Sequence, residues 1–309
     1  MYFKSTPIQK MKLLPFMAAA VLVLAACMGN TAVLPTNAQT AVTEQPQASQ
    51  TPFQPSATPR PLSVVVNGRE VSLAAYQAEL NLLSAAEAET GAAHSEAEKR
   101  EMVLNELIDR ALLAAQAEAD GYSLDASALE ERVAQLAADV GGNDALAAWQ
   151  TQFGFDDETF REVLRESELA AWQRDQILAA IPDPQEQVHA RQIRTREKAT
   201  AEDVLSNLKS GAEFATLAKQ YDPTTGGDLG WFPRGYLLQP EIELAAFDLQ
   251  AGETSEIIQS AVGFHIVQVV ERNSERALSP LARTILHQKA LNNWLDEQKT
   301  NSKIEILLP

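Results

Sequence analysis

The sequence predicts an α+β fold in which a module of strands and short helices is inserted in a mostly helical domain. Apolar residues recur at helical spacing from residue 73 to residue 180. From Val188 to Arg272 the period changes, and short apolar runs alternate with short helical stretches. A helical pattern returns at Ser279, and the chain ends in a strand-like alternation. Because one helix and one strand cannot form a core alone, we expect residues 274–309 to pack back on the N-terminal helices.

Residues 1–26 are typical of a signal peptide. Three lysines precede a fourteen-residue apolar run from Leu13 to Ala26, which is shorter than the roughly 20 residues of a membrane-spanning helix. The run ends in Leu-Ala-Ala-Cys, which resembles a bacterial lipobox. In a lipobox the cysteine takes a diacylglycerol and the chain is cut just before it. Cys27, the only cysteine in the chain, is therefore the expected lipidation site. The alternative is an ordinary secretory signal.

Residues 27–62 are expected to be the lipidated cysteine and a disordered tether. Residues 28–62 contain six of the fifteen prolines and only two charged residues, Glu44 and Arg60, a composition that cannot bury enough apolar surface to order itself. The net charge of the chain is −17, and loss of the three signal lysines would leave −20. This balance argues against binding to nucleic acid and against charge-driven binding to anionic lipid.

Residues 63–184 are predicted to be mostly helical after one β-hairpin. Val64–Val66 and Arg69–Val71 flank Asn67-Gly68, which is a strong signal for a two-residue hairpin turn. Helix starts are expected at three capping patterns: Ser72, Ser95 with Glu98, and Ser127 with Glu130. Two shorter helices are expected at 145–153 and 157–180.

The most informative stretch is residues 185–273, which we expect to form a separate domain. It contains five short motifs in a fixed order: Gly211–Tyr221, Gly226–Gly235, Ala245–Phe247, Ala251–Ser255 and Gly263–Val267. In this order and at this spacing, they resemble the parvulin (PpiC, rotamase) family of peptidyl-prolyl cis-trans isomerases. The resemblance implies a four-stranded antiparallel sheet with surrounding helices, a shallow groove for a proline ring, and a reaction without a cofactor.

The resemblance implies three catalytic positions. His265 falls on the second groove histidine of the family, in Gly-Phe-His-Ile. Asp222 falls near a position that is Cys or Asp in the family, and the alternative for it is a turn residue before Pro223. Gln192 stands where the family commonly has its first groove histidine, and it can form hydrogen bonds but cannot titrate. His189 is expected on the opposite face of the strand, so it should not substitute.

Five further residues are implied to contact the substrate. Leu237 or Leu238 falls on the pocket methionine, Ile242 on the pocket phenylalanine, and Ser260 on a small hydroxyl position. Phe247 completes this set, although packing in the core is the alternative for its ring. Neither a metal nor a cofactor is expected, because His, Cys and carboxylate residues show no ligand spacing and no dinucleotide fingerprint is present.

The flanking segments point to one kind of function. Residues 66–113 resemble the SurA-like N-terminal chaperone domain of exported foldases. With the lipobox and the C-terminal helix that contains Trp294 and Leu295, the whole chain is similar to PrsA-type foldase lipoproteins. This implies a foldase anchored through its lipid to the outer face of the cytoplasmic membrane, or to an outer membrane if the cell has one. Its partners would be unfolded or newly exported polypeptides that contain X-Pro bonds. The alternative is a non-catalytic holdase chaperone with a degenerate groove.

Overall fold

The computed structural model describes residues 60–308. The expected signal peptide, Cys27 and the tether up to residue 59 lie outside the described residues. Contacts divide the chain into two compact units: the helical unit, which runs up to Asp175 and resumes at Glu297, and the sheet unit, Gln176–Asp296. The expected C-terminal segment is thus divided between the two units at Asp296. Arg60, from the expected tether, is part of the helical unit, because its Nη1 donates to Glu162 at 2.6 Å.

The helical unit begins with a β-hairpin. Strands β1 (Leu62–Val66) and β2 (Arg69–Ser72) are joined by Asn67 and Gly68. Both turn residues have positive φ angles, 52° and 86°, as a two-residue type I′ turn requires. The last strand, β7 (Ile304–Ile306), pairs antiparallel with β1 and completes a three-stranded sheet. The predicted hairpin and terminal strand are confirmed.

Five helices follow the hairpin: α1 (Leu73–Thr90), α2 (Glu96–Ala119), α3 (Ala126–Val140), α4 (Asn143–Phe153) and α5 (Asp157–Ala179). Ser72 and the Ser95–Glu98 capping box start α1 and α2 as predicted. The predicted cap of the third helix is wrong: Asp125 accepts from the N–H of Ala128 at 2.8 Å. Aspartate and serine cap equally well, so the residue types alone could not choose between positions 125 and 127. Within residues 60–308, no helix combines the length and apolar character that a membrane crossing needs.

The sheet unit contains strands β3 (Gln185–Thr195), β4 (Asp228–Pro233), β5 (Ile258–Ser260) and β6 (Gly263–Arg276), with helices α6 (Lys198–Lys209), α7 (Phe214–Tyr221) and α8 (Pro240–Asp248). The strand order is β4-β3-β6-β5, and every pair is antiparallel. Helix α9 (Pro280–Asn301) belongs to this unit as far as Asp296. The predicted four-stranded antiparallel sheet with surrounding helices is confirmed.

The side chains of β3 alternate between two cores on opposite faces of the sheet. Val188 packs in a core with Phe247 of α8, whereas Ile193 packs in a second core with Phe214 of α7. Because successive strand residues point to opposite faces, Gln192 shares the side of Val188. We call this side the α8 face.

Candidate active site

The centre of the candidate site is His265 on β6, whose side chain is 2% exposed. Val267, two residues further along the strand, packs in the core of the α8 face, so His265 lies on that face too. The Nδ1 atom of His265 is 2.8 Å from Oε1 of Gln192 on β3, and its Nε2 atom is 2.7 Å from Oγ of Ser260 on β5. Residues from the two neighbouring strands therefore hold the ring, and both ring nitrogens have partners.

These partners fix the protonation of the ring. The amide oxygen of Gln192 can only accept, so Nδ1 carries the proton and donates it, while Nε2 accepts from the hydroxyl of Ser260. Burial lowers the pKa of His265, because it penalises the charged ring, and the positive charge of Arg194 lowers it further. Glu241 acts in the opposite direction. The ring is therefore held as one neutral tautomer.

Gln192 is itself held by the turn that enters β4. Its backbone N–H donates to the carbonyl oxygen of Gly227 at 2.8 Å. Gly226 and Gly227 have φ angles of 65° and 73°, in the left-handed region that glycine enters without steric cost. The turn thus fixes the position of the Gln192 backbone, and the side chain of Gln192 selects the tautomer of His265.

Asp222 lies at the C-terminal end of α7, where its carboxylate bonds within its own turn. Oδ1 accepts from the N–H groups of Thr224 and Thr225, each at 3.1 Å, and the hydroxyl of Thr225 donates to Oδ2. The Thr225 hydroxyl, together with these backbone donors, holds the pKa of Asp222 below its usual range. Oγ1 of Thr225 also accepts from the N–H of Gly227 at 3.1 Å. The hydrogen bonds of Asp222 are those of a turn residue. Asp222 is connected to Gln192 only indirectly, because Thr225 contacts Gly227 and Gly227 accepts from the backbone of Gln192.

The structure distinguishes the two leucines that compete for the pocket position. Leu237 is partly buried against the core of the α8 face, whereas Leu238 is 86% exposed. Ile242 and Phe247 belong to the same core and are 2% and 4% exposed. The rings of Phe247 and Phe232 form a T-shaped pair with a centroid distance of 6.1 Å. Ile242 and Phe247 therefore form the apolar floor of the site and expose little surface to a ligand.

His189 occupies the face opposite to Gln192, as the alternation of a strand predicts. Its Nε2 is 2.8 Å from Oδ1 of Asp228, and its ring lies 5.7 Å from the ring of Trp231. Trp231 is the cross-strand partner of His189 on β4. His189 therefore does not replace the missing histidine.

The sequence reasoning missed Glu243 on α8. Its Oε1 accepts from the N–H of Gly235 at 2.6 Å, and its Oε2 accepts from the N–H of Leu237 at 2.9 Å. Lys289 on α9 donates to the carbonyl oxygen of Gly235. The carboxylate thus ties the loop that carries Leu237 to α8. An acid in the first turn of a helix that begins with proline was the available signal, but only the fold brings its backbone partners within reach.

Comparison with known proteins gives matches to both parts of the chain. The model of the PPIC-type PPIase domain matches residues 176–271, and the model of the SurA-like N-terminal domain matches residues 55–164. Foldase protein PrsA of Oceanobacillus iheyensis is 30% identical over 208 residues, which cover 61% of this chain and 68% of the relative. Foldase protein PrsA of a Geobacillus species is 34% identical over 126 residues, which cover 39% of this chain and 45% of the relative. The chain spans about half the length of the first curated relatives it matches.

Solved structures of PrsA proteins are also similar to this chain. The structure of PrsA from Bacillus anthracis has a TM-score of 0.41 at 24% identity, with 65% of this chain and 99% of that chain covered. The structure of PrsA from Bacillus cereus has a TM-score of 0.44 at 21% identity, with 79% and 93% covered.

The antiparallel sheet, with His265 held on its α8 face, and the two family matches define a protein with a parvulin-type peptidyl-prolyl isomerase domain and a SurA-like N-terminal domain. The extent of the match to the Oceanobacillus protein shows that the chain belongs to the PrsA foldase family.

Proposed function

We propose that the chain is a foldase that catalyses cis-trans isomerisation of X-Pro bonds in polypeptides outside the cytoplasm. The observation that carries this proposal is the buried His265, held between Gln192 and Ser260 on the α8 face of the PPIC-type domain. We take residues 185–273 as the isomerase domain, with residues 63–184 as the chaperone domain. The substrates are unfolded or newly exported chains, in which unaided isomerisation takes tens to hundreds of seconds.

The chemistry needs polar and apolar groups rather than a nucleophile. The barrier of about 18–20 kcal/mol comes from amide resonance, and it falls when the proline nitrogen leaves water as the bond twists. Leu237 and the Ile242 floor supply the apolar side, and the hydrogen bonds from Ser260 through His265 to Gln192 supply polar groups of fixed orientation. Polar groups that are already oriented need no reorganisation when the amide reaches its twisted state.

An isomerisation assay on a proline peptide tests this function, with the soluble chain from residue 28 to residue 309. The wild type should accelerate isomerisation, and His265→Ala should reduce the rate at least about tenfold, because loss of one preorganised hydrogen-bonding group from an active site costs about 10²–10³ in rate. His189→Ala is the matched control, since it removes a histidine from the opposite face of the same sheet. A wild-type rate equal to background would overturn the isomerase proposal.

We also infer that Cys27 is lipidated after removal of residues 1–26. The support is the charged segment, the short apolar run and the sole cysteine at its end. The tether would then hold the folded units at the outer face of the cytoplasmic membrane, or of an outer membrane. Cells given labelled fatty acid should incorporate it into the wild type but not into Cys27→Ser. Incorporation into both chains, or into neither, would contradict the inference.

A second candidate is a non-catalytic holdase, and two observations favour it. Ile242 and Phe247 are almost fully covered, and Gln192 cannot titrate. A holdase would suppress the aggregation of an unfolded client while leaving the rate of proline isomerisation at background. Gain of isomerase activity in Gln192→His would then show that the lost histidine limits catalysis.

A further inference from the structure

Arg194 lies directly opposite the histidine of the candidate active site. In the pairing of β3 with β6, Arg194 is the partner of His265, and residues that face each other across an antiparallel pair have Cβ atoms about 4.5–5.5 Å apart. Arg194 is two residues beyond Gln192 on β3, so its side chain lies on the α8 face too. Arg194 is also exposed. A guanidinium group therefore lies beside the site and is open to solvent.

The guanidinium of Arg194 has no partner of its own. Within residues 60–308, it forms neither a hydrogen bond nor an ion pair. By contrast, Arg272 of the same unit donates to Glu186 at 2.7 Å. The chain has 42 acidic and 25 basic residues, so carboxylates are plentiful, and yet none neutralises Arg194. Its charge is therefore available to a ligand of the site.

The side chains of the α8 face change from apolar to charged along β3. Val188 and Ala190 belong to the apolar core that contains the floor residue Ile242. Gln192 follows with its polar amide, and Arg194 comes last. A proline ring that lies over the apolar end places its X–Pro amide at Gln192. The residue before the proline is attached on the other side of that amide, so its side chain lies toward Arg194.

One carboxylate also acts on the site. Glu241 is an exposed residue in the first turn of α8. The charge of Arg194 lowers the pKa of His265, and this effect is larger than the opposite effect of Glu241. At His265, the cation therefore outweighs the anion, although the chain as a whole has a net charge of −17. This local balance favours a negative group on the ligand.

We propose that Arg194 makes the isomerase site selective for X-Pro bonds in which the residue before the proline is aspartate or glutamate. The guanidinium forms an ion pair with that carboxylate while the bond twists beside His265. The selectivity is local to this position, because the acid-rich surface of the chain has no general attraction for acidic polypeptides. This inference rests on the proposed isomerase function, since it names the bonds that the site prefers.

Isomerisation of three proline peptides tests the selectivity, with the soluble chain from residue 28 to residue 309. The peptides differ only in the residue before the proline, which is glutamate, glutamine or lysine. In kcat/KM, the glutamate peptide should exceed the glutamine peptide about threefold, and the glutamine peptide should exceed the lysine peptide about threefold, as expected of exposed charges. The differences should shrink between about 0.05 M and 1 M salt, because the Debye length falls to about 3 Å. Equal values above background would overturn the inference and leave the isomerase function standing.

Substitutions at Arg194 show whether its charge is the cause. Arg194→Gln should bring the ratio of glutamate to lysine peptide close to one, Arg194→Glu should reverse it, and Arg194→Lys should keep most of it. These changes also alter the pKa of His265, but that effect is common to all peptides and cancels in the ratio. A wild-type ratio in Arg194→Gln would overturn the inference.

Two further variants serve as controls for position. Lys209→Gln removes the same charge from α6, which packs against the opposite face of the sheet, and it should keep the wild-type ratio. Glu241→Gln removes the competing carboxylate and should raise the ratio of glutamate to lysine peptide. An equal fall of the ratio in Lys209→Gln and Arg194→Gln would show an effect of total charge and overturn the inference.

Binding decides the inference if none of the peptides isomerises faster than background, a result that would overturn the proposed isomerase function. Fluorescence anisotropy then compares labelled glutamate and lysine peptides on the wild type and on Arg194→Gln. Tighter binding of the glutamate peptide to the wild type, lost in Arg194→Gln, would support recognition by Arg194. Equal affinities of the wild type for the two peptides would overturn it.

Discussion

Gly227 lies so close to Gln192 that a Cβ atom at position 227 would be 1.9 Å from the backbone carbonyl oxygen of Gln192. No side chain fits at that distance, and the φ angle of 73° also favours glycine. The contact is between backbone atoms, so a change of rotamer cannot relieve it. Only glycine at position 227 therefore lets the turn before β4 lie this close to Gln192 on β3.

Replacing Gly227 should destabilise the sheet unit. Gly227→Ala is expected to lower the free energy of unfolding by more than about 2 kcal/mol, because the clash adds to the strain of a positive φ. Gly252→Ala is the matched control, since Gly252 has a φ of 88° but nothing within 4 Å of an added Cβ, and it should cost about 1 kcal/mol. Urea unfolding measures both. Equal losses would contradict the contact with Gln192.

Protonation of His265 should make stability depend on pH. Burial lowers the pKa of His265, so the unfolded chain takes up a proton at this residue more readily than the folded chain does. Stability therefore falls as pH decreases through the unfolded value of about 6.5 and is fully present above it. Urea midpoints should fall between about pH 8 and pH 5.5 in the wild type, and less in His265→Gln. An unchanged slope in His265→Gln would rule out this origin.

The partner at Nδ1 should control the titration of His265. Gln192→Glu places a carboxylate where the amide oxygen now lies, 2.8 Å from Nδ1, and an opposite charge at that distance favours the charged ring. The pKa of His265 should rise by about one unit or more, as measured by NMR titration of its ring protons. Gln268→Glu is the control, because Gln268 bonds Arg191 instead. An equal rise in both variants would show a general effect of charge.

Asparagine at position 222 should separate the two roles open to Asp222. Its amide oxygen can still accept from the N–H groups of Thr224 and Thr225, whereas alanine accepts from neither. If Asp222 serves as a turn residue, Asp222→Asn keeps most of the isomerase rate and Asp222→Ala loses it. We expect this result, because every bond of the carboxylate lies in the turn. If both variants lose isomerase activity while their stability is unchanged, the negative charge of Asp222 instead takes part directly in catalysis.

Glu243 should position the loop that carries Leu237. Glu243→Ala leaves the N–H groups of Gly235 and Leu237 without their acceptor, which should cost about 1–3 kcal/mol of stability and raise KM for a proline peptide more than it lowers kcat. Glu243→Gln keeps one acceptor and should recover part of the loss. Asp248→Ala, at the exposed end of α8, is the control. A fall in kcat alone would argue against a positioning role.

Local patterns predicted most of the elements. The Asn67-Gly68 turn, the Ser95–Glu98 capping box and the helical periods depend on residues within one or two turns of each other, so residue types alone specify them. Where two neighbouring residues suited the same role equally well, the sequence alone did not show which one takes that role. Asp125 rather than Ser127 caps α3, and Leu237 rather than Leu238 faces the core.

By itself, the sequence determined the helices and the hairpin, since these follow from periodicity and turn chemistry. Its resemblance to the parvulin family implied the four-stranded sheet and the position of His265 within it. The tertiary structure alone decided which groups touch His265, because Gln192 lies 73 residues earlier in the chain and meets it only in the register of β3 against β6. The same holds for the loop bonds of Glu243. Hydrogen bonds reach only a few ångströms, so between distant residues they depend on the folded register rather than on local pattern.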